Sequence, residues 1–267
     1  MSEKRSDLAG CVAVVTGAAG GIGAVTVRLL VERGARVIAA DLNVAGCKEL
    51  ASEAVLPWEL DLCSDASVRE MARGAVKHFG RIDILVNNAA DQSAKQSAAD
   101  GDIASIAMDA WDQAFAVNVR GAVLACQVVL PAMLENGSGS IINMASTRGM
   151  QGGLRGIAYS ASKAALIQVT RSIATSHGQL GIRANTVSPG LVMTPGAIEK
   201  IPERYVAIVA EETLTPTLGI PDDIAEVIAF LASPASRYIN GANIVVDGGS
   251  VSHMPGLAAM RQLANGA

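Results

Sequence analysis

Charged residues are scarce, at 17% of the 267 residues against about 25% in ordinary domains. Lys and Arg are scattered singly and the net charge is −4, so there is no basic stripe to neutralise a phosphate backbone, and nucleic acid is not an expected partner. The chain has only three histidines, His78, His177 and His253, with no i, i+4 partner and no Glu at metalloprotease spacing. The four cysteines, Cys11, Cys47, Cys63 and Cys126, never form a Cys-x-x-Cys pair. These absences argue against a tight transition-metal site and a disulfide framework, and the cysteines read as reduced core residues. No run reaches the roughly 20 apolar residues that span a bilayer. The polar stretch Met1 to Gly10 has no apolar segment of a secretory signal behind it, so a soluble, cytoplasmic protein with no membrane partner is expected. Pro-rich or Ser-rich linkers and internal repeats are also missing, so residues 1–267 offer no boundary at which to divide them.

What the chain does have is apolar residues, 50% of the total, enough to predict a large core and a subunit interface. Short Val/Ile/Ala-rich runs alternate with helical stretches, the pattern of βαβ units whose parallel sheet is buried on both faces. The strand runs are Cys11–Thr16, Arg36–Asp41, Val55–Leu60, Ile82–Asn87, Ser140–Met144, Ile182–Val187 and Ile244–Asp247. Helical periodicity falls on Ile22–Arg33, Asp65–Phe79, Asp109–Leu134, Ala158–His177 and Pro221–Leu231. Together they predict one α/β domain with a doubly wound parallel sheet of about seven strands and helices on both faces. Three stretches fall outside the alternation: Asp91–Met108, Gly190–Thr217 and the tail Ser250–Ala267. The first two follow strands four and six, where an open parallel sheet binds ligands, so both are candidate site loops.

The first strand runs into Thr16-Gly17-Ala18-Ala19-Gly20-Gly21-Ile22-Gly23 and then a helix. Backbone amides and a helix N-terminus can meet a pyrophosphate there, with Gly17, Gly21 and Gly23 in the tight positions. Asp41, at the end of the second strand, can accept both hydroxyls of an adenosine ribose and would repel a 2′-phosphate. No Lys or Arg stands in the glycine turn or in the two residues after Asp41, which favours NAD over NADP.

Chemistry concentrates at Ser146, Tyr159 and Lys163. Tyr159 and Lys163 share a helix face at i and i+4, and an ammonium beside a phenol is expected to lower the phenol pKa and make a general acid and base. The Ser146 hydroxyl, just past strand five, can hold the same substrate oxygen.

TGAAGGIG, NNAA (Asn87–Ala90), Ser146 upstream of YSASK (Tyr159–Lys163), and Pro189-Gly190, in this order from about Val12 to Gly249, resemble the short-chain dehydrogenase/reductase family. The resemblance implies a single Rossmann-type domain, core about 12–249, with a substrate lid over 191–217 and a tail over 250–267. It adds Asn118 as a fourth catalytic residue, part of a relay that links Lys163 to solvent. The cofactor-binding set it implies is Gly17, Gly21, Ile22, Gly23, Asp41, Leu42, Asp61, Leu62, Asn88, Ala89, Ala90, Tyr159, Lys163, Pro189, Gly190, Val192 and Thr194, with Asn88 also steadying the central sheet. Ala90 stands where many relatives have Gly. The Asp91–Met108 stretch is longer than in a minimal member; it either covers the site or is a mobile surface loop.

Substrate identity is written around Arg148–Ile157 and Leu191–Thr217. Met150, Leu154, Leu191, Met193, Ile198, Ile201 and Val206 suit an apolar secondary alcohol or ketone, while Arg148, Gln151 and Arg155 could instead meet a carboxylate or several hydroxyls. The substrate-contact set is Ser146, Gln151, Tyr159 and Met193. Val123, Leu124, Val128, Val129, Leu166, Ile167 and Val169 exceed what one sheet face absorbs, and the resemblance points to a homotetramer. The expected activity is NAD-dependent hydride transfer between a secondary alcohol and a ketone on a fairly apolar cyclic, aromatic or steroid-like molecule. A 3-oxoacyl thioester reductase, a sugar or polyol dehydrogenase and a non-catalytic NAD-binding sensor or scaffold are the competing readings.

Overall fold

Seven parallel strands lie in the order β3-β2-β1-β4-β5-β6-β7, in a computed structural model that describes residues 7–264 and Gly266. The start at residues 1–6, read above as lacking a signal, lies outside the described residues, as do 265 and 267 of the tail. The strands are β1 (Val12–Thr16), β2 (Arg36–Asp41), β3 (Val55–Glu59), β4 (Ile84–Asn87), β5 (Gly139–Met144), β6 (Ile182–Pro189) and β7 (Asn243–Val246). Side chains alternate across a strand, and β1 shows the result. Ala13 and Val15 enter the core on one face with Val27 and Leu30 of α1 (Gly21–Glu32) and Ile228 of α10 (Pro221–Ala232). Val12 and Val14 enter the other with Met71 of α3 (Asp65–Phe79) and Val129 of α6 (Ala122–Glu135). Every β1 residue is buried, and each buried Val or Leu contributes about 1.5–3 kcal/mol, so a two-faced apolar strand has no stable place except mid-sheet.

The order reverses between β1 and β4, which pair in parallel through Ala13–Ile84, Val14–Leu85 and Val15–Val86. The crevice beyond their carboxyl ends is the topological switch point at which such sheets bind ligands. Among the elements forming its rim, α3 is started by Ser64, whose side chain accepts from Ser67 N, and stopped by Gly80 at φ +83°.

The predicted bounds of β2 and α3 coincide with the observed ones, and β6 runs on to Pro189. Five short helices escaped the periodicity: α2 (Val44–Lys48), α4 (Ala94–Ala99), α8 (Pro195–Lys200), α9 (Glu203–Glu211) and α11 (Leu257–Ala264). None is long enough for a 3.6-residue repeat to stand out.

Three sequence expectations need correction. Met108–Glu135 is one continuous helical stretch, α5 (Met108–Phe115), a π turn (Ala116–Gly121) and α6, long and apolar enough by length and composition to cross a membrane. Its apolar side chains Leu124, Val129 and Met133 are instead spent on the core. Leu124, Val129, Leu166 and Ile167, counted above toward a subunit interface, are buried within this protomer, so only the exposed Val123 and the part-buried Val128 and Val169 remain for a partner. Cys63 is likewise exposed and not a core residue, while Cys47 and Cys126 are buried as expected.

Candidate active site

At the β1–β4 end the chain closes on itself through Thr16. Its hydroxyl accepts from Asn88 N and Ala89 N, both at 3.1 Å, and Asn88 Nδ2 donates to Thr16 O and Gly17 O, both at 3.0 Å. A Cβ on Gly17 (φ +67°) would lie 2.8 Å from Ala89 Cα, and one on Gly23 would strike Gly17 O. The turn thus admits only glycine at these positions. α1 starts after Gly20, which offers no capping side chain, and has no acidic residue in its first turn, so its positive end is left for an anion. Gly21, with φ +53°, has Thr194 as its nearest neighbour across the crevice, its Cβ position 3.5 Å from Thr194 Cγ2.

Asp41 ends β2 with both oxygens oriented: Oδ2 accepts from Ala19 N at 3.0 Å and Oδ1 from Asn43 N at 2.9 Å. Each oxygen keeps a lone pair for a further donor. Leu42 beside it is 69% exposed, an apolar surface of the sort a purine covers. Asp61 Oδ1 accepts from Cys63 N at 2.8 Å, whereas the Leu62 side chain is buried against Gly121 and could offer a ligand only its backbone. Pro189 and Val192 are buried, Gly190 is pressed on Asp247, and Thr194 caps α8. Ile22 and Ala90 are part-exposed at the crevice edge. A glycine cradle, an uncapped helix start and an oriented carboxylate fit a dinucleotide.

The second half of the crevice gathers the chemistry. α7 (Ile157–His177) carries Tyr159 and Lys163 on one face. Lys163 is 2% exposed, its Nζ donates to Met144 O at 2.7 Å, and it lies 5.6 Å from the Tyr159 ring centroid. Two ammonium hydrogens remain for other acceptors. Burial pushes Lys163 down from 10.5 to about 8. Ser146 begins the turn after β5, with Oγ accepting from Arg148 N at 3.2 Å. Tyr159 Oη receives Gln92 Nε2 at 3.3 Å. Desolvation raises the Tyr159 phenol above its ordinary value; hydrogen bonding from Ser146, the Arg148 charge and the Gln92 bond oppose this without overcoming it. The expected lowering of the phenol pKa is therefore not what this environment does: desolvation dominates the shift.

Asn118 sits in the π turn, 1% exposed, with Oδ1 accepting from Asp91 N at 3.1 Å and Nδ2 donating to Ser162 Oγ at 3.0 Å. Ser162 in turn donates to Tyr159 O at 2.7 Å. Ser146, Tyr159, Lys163 and Asn118 are thus brought together. Gln151 lines a cavity of about 390 Å³ with Arg148, Arg155, Ser160 and Ala164. Met193 is part-buried beside the crevice, its amide donating to Gly219 O at 2.8 Å.

Sequence reasoning missed two residues, Gln92 and Asp100, both from the Asp91–Met108 stretch. That stretch holds α4, reaches Tyr159 and Asn118, and anchors Gln96 Nε2 on Ala110 O at 2.6 Å, so it lines the site and is not a detached surface loop. The lid residues 191–217 fold into α8 and α9, pinned at their far end where Leu214 N donates to Gly248 O at 2.8 Å and Arg261 of α11 to Glu211 O at 2.9 Å. Among the described residues no cluster of His, Cys, Asp or Glu has the makings of a metal site.

Residues 17–251 match a family described as enoyl-(acyl carrier protein) reductase. A 7alpha-hydroxysteroid dehydrogenase from Bacteroides fragilis is 40% identical over 248 residues, 91% of this chain and 95% of its own length. A D-threitol dehydrogenase from Mycolicibacterium smegmatis is 39% identical over 251 residues, 91% of this chain and 93% of its own. A crystal structure described as a short-chain dehydrogenase/reductase from Burkholderia xenovorans superposes with a TM-score of 0.85 at 34% identity, covering 93% of this chain and 99% of that one.

Proposed function

The chain belongs to the short-chain dehydrogenase/reductase family, an oxidoreductase of alcohols and ketones that works with a nicotinamide dinucleotide, and from that premise we propose that it prefers NAD and uses Tyr159 as general acid and base. The observation that carries the reading is the pairing of a buried ammonium, Lys163 on Met144 O at 2.7 Å, with a phenol 5.6 Å away that also has Gln92 as donor. The nicotinamide supplies the group that gives or takes hydride.

The chain's own residues handle the oxygen and its proton. The Ser146 hydroxyl, oriented by Arg148 N, donates to the substrate oxygen and holds it near Tyr159 Oη. In reduction, the protonated phenol delivers its hydrogen to the oxygen as negative charge develops there. In oxidation, the phenol must lose its proton first, and the Gln92 carboxamide donates to the phenolate that results. Lys163, charged below about pH 8, supports the same phenolate and uses its remaining hydrogens on the nicotinamide ribose. Asn118 holds the turn through which a proton reaches Lys163 from solvent.

Asp41 supports NAD over NADP. Its carboxylate accepts ribose hydroxyls and repels a 2′-phosphate, and positions 42 and 43 are Leu and Asn, not Lys or Arg. An apolar cyclic, aromatic or steroid-like secondary alcohol is favoured by the exposed Ile198, Tyr205 and Ile208 on the lid and by Met150. A polyol is the second reading, favoured by the Gln92 carboxamide at the phenol. We further read the protein as a soluble, cytoplasmic homotetramer, with the exposed Val123 and the part-buried Val128 and Val169 left for a partner.

Calorimetric titration with NADH and, separately, NADPH tests the cofactor claim without a known substrate. At least tenfold tighter NADH binding is expected. Preference for NADPH would sink the Asp41 reading, and binding of neither by folded protein would turn the assignment toward a non-catalytic role.

A further inference from the structure

The helix that carries Tyr159 begins without a cap of its own. Its N-cap is Gly156 at φ +80°, which has no side chain to offer, and its first turn contains no acidic residue. The second and third amides of a helix are the ones a capping side chain normally satisfies. In α7 these belong to Ala158 and Tyr159, and both are satisfied from far away in sequence. Asp100 Oδ1 accepts from Ala158 N and Asp100 Oδ2 from Tyr159 N, each at 2.9 Å. Gly156 N donates to the carbonyls of Asp100 and Gly101 at 3.0 and 3.1 Å. Asp100 is 4% exposed and sits at the end of α4, its amide donating to Gln96 O at 3.0 Å.

We propose that Asp100 is a positioning residue for Tyr159: a cap supplied from the Asp91–Met108 segment that fixes the backbone from which the phenol projects. The inference rests on Tyr159 being the acid/base. A buried carboxylate is stable here because two N–H groups and the positive end of a 21-residue helix face it. One of those N–H groups is that of Tyr159 itself, so rotating the residue breaks a charge-assisted hydrogen bond. Gln92, from the same segment, reaches the phenol oxygen. The segment therefore holds Tyr159 at both ends, by its amide and by its hydroxyl. Loss of the carboxylate leaves two inward-facing amides without acceptors and frees the first turn of α7 to fray, which misplaces the phenol while the glycine turn stays as it was.

The scarcity of aromatics makes this measurable. The chain has three tyrosines, so protein labelled with 13C at the tyrosine ζ carbon gives three signals, and Tyr159→Phe identifies the one that matters. Tyr238 is 99% and Tyr205 49% exposed, and they serve as internal references. Asp100→Ala is expected to shift or broaden the Tyr159 signal alone. It should also lower kcat for NADH-dependent reduction of 1-decalone at least tenfold, with NADH affinity within twofold of the parent. Asp100→Asn, which keeps one acceptor, should recover part of both effects, and it replaces the alanine variant if that fails to fold. A folded variant with an unmoved Tyr159 signal would overturn the proposal. So would parallel losses in kcat and NADH affinity, the mark of a merely structural residue. If the parent protein turns nothing over while the Tyr159 signal still responds to Asp100, the acid/base reading fails and the contact stands.

Discussion

The two halves of the crevice are built in different ways. At the nucleotide half, most of the residues that matter are close in sequence: Gly17, Gly21 and Gly23 lie in one strand-to-helix stretch and act through backbone, and the Asp41 carboxylate closes the same βαβ unit, with Asn88 the tie from outside it. At the chemistry half, Tyr159 is held by side chains from separate segments, Asp100 across 59 residues and Gln92 across 67. A backbone cradle needs little beyond the absence of Cβ atoms, a helix start and the tie from Asn88, so it survives change in the loops at the other end of the crevice. A side-chain site exists only if the whole sheet has delivered its loops to one place. The two halves should therefore fail independently.

The largest effect that would expose this is on the phenol. Tyr159→Phe is expected to lower turnover of any accepted alcohol or ketone by about 10²–10⁴-fold, with NADH affinity within twofold by calorimetry. Retained turnover would remove Tyr159 from the chemistry. The converse break is Gly23→Ala, whose methyl would strike Gly17 O. It should weaken NADH binding at least about tenfold and lower thermal stability by an amount typical of overpacking, about 1–3 kcal/mol, while the Tyr159 signal stays in place. If both halves collapse together, the comparison is wrong.

Lys163 belongs to both halves, and its substitution sharpens where they meet. Its pKa is lower in the folded chain, about 8, than its ordinary 10.5. Below about pH 8 both folded and unfolded states carry the proton, and burial of the charge costs stability in full. Between about 8 and 10.5 the unfolded state binds the proton more, so stability rises with pH and the cost recedes. Lys163→Met should thus be inactive, yet more stable than the parent at pH 7 by on the order of 1–3 kcal/mol. That margin should narrow as pH approaches 10.5, as melting curves across pH would register. A variant less stable at pH 7 would mean that the Met144 O contact outweighs burial.

The same contrast explains what could be read in the chain. The fold was legible because two-faced apolar runs such as Val12–Thr16 admit one arrangement, and the switch point follows from strand order. Gly17, Gly23 and Asp41 were legible because all three fall within one βαβ unit of the sequence. Asp100 was not: an Asp in a Ser/Ala/Asp-rich segment carries no periodicity, and nothing nearby in sequence shows that α7 lacks a cap. Gln92, which reaches the phenol across 67 residues, is brought in only by folding. The direction of the Tyr159 shift was misread because i, i+4 spacing reveals the charge beside a phenol but not the desolvation around it.

The π turn that holds Asn118 has a consequence for chain length. In Ala116–Gly121 the helix contains one residue more than α geometry would use over the same rise. A π turn absorbs its extra residue without changing the register of the helix on either side, so deleting one residue there should let it relax into ordinary helix while the face of α6 that packs on the sheet stays in place. Asn118 would then lose its position opposite Ser162. The extra residue thus serves the crevice and not the core, and a one-residue deletion in the turn should cost activity while leaving the packing of α6 intact.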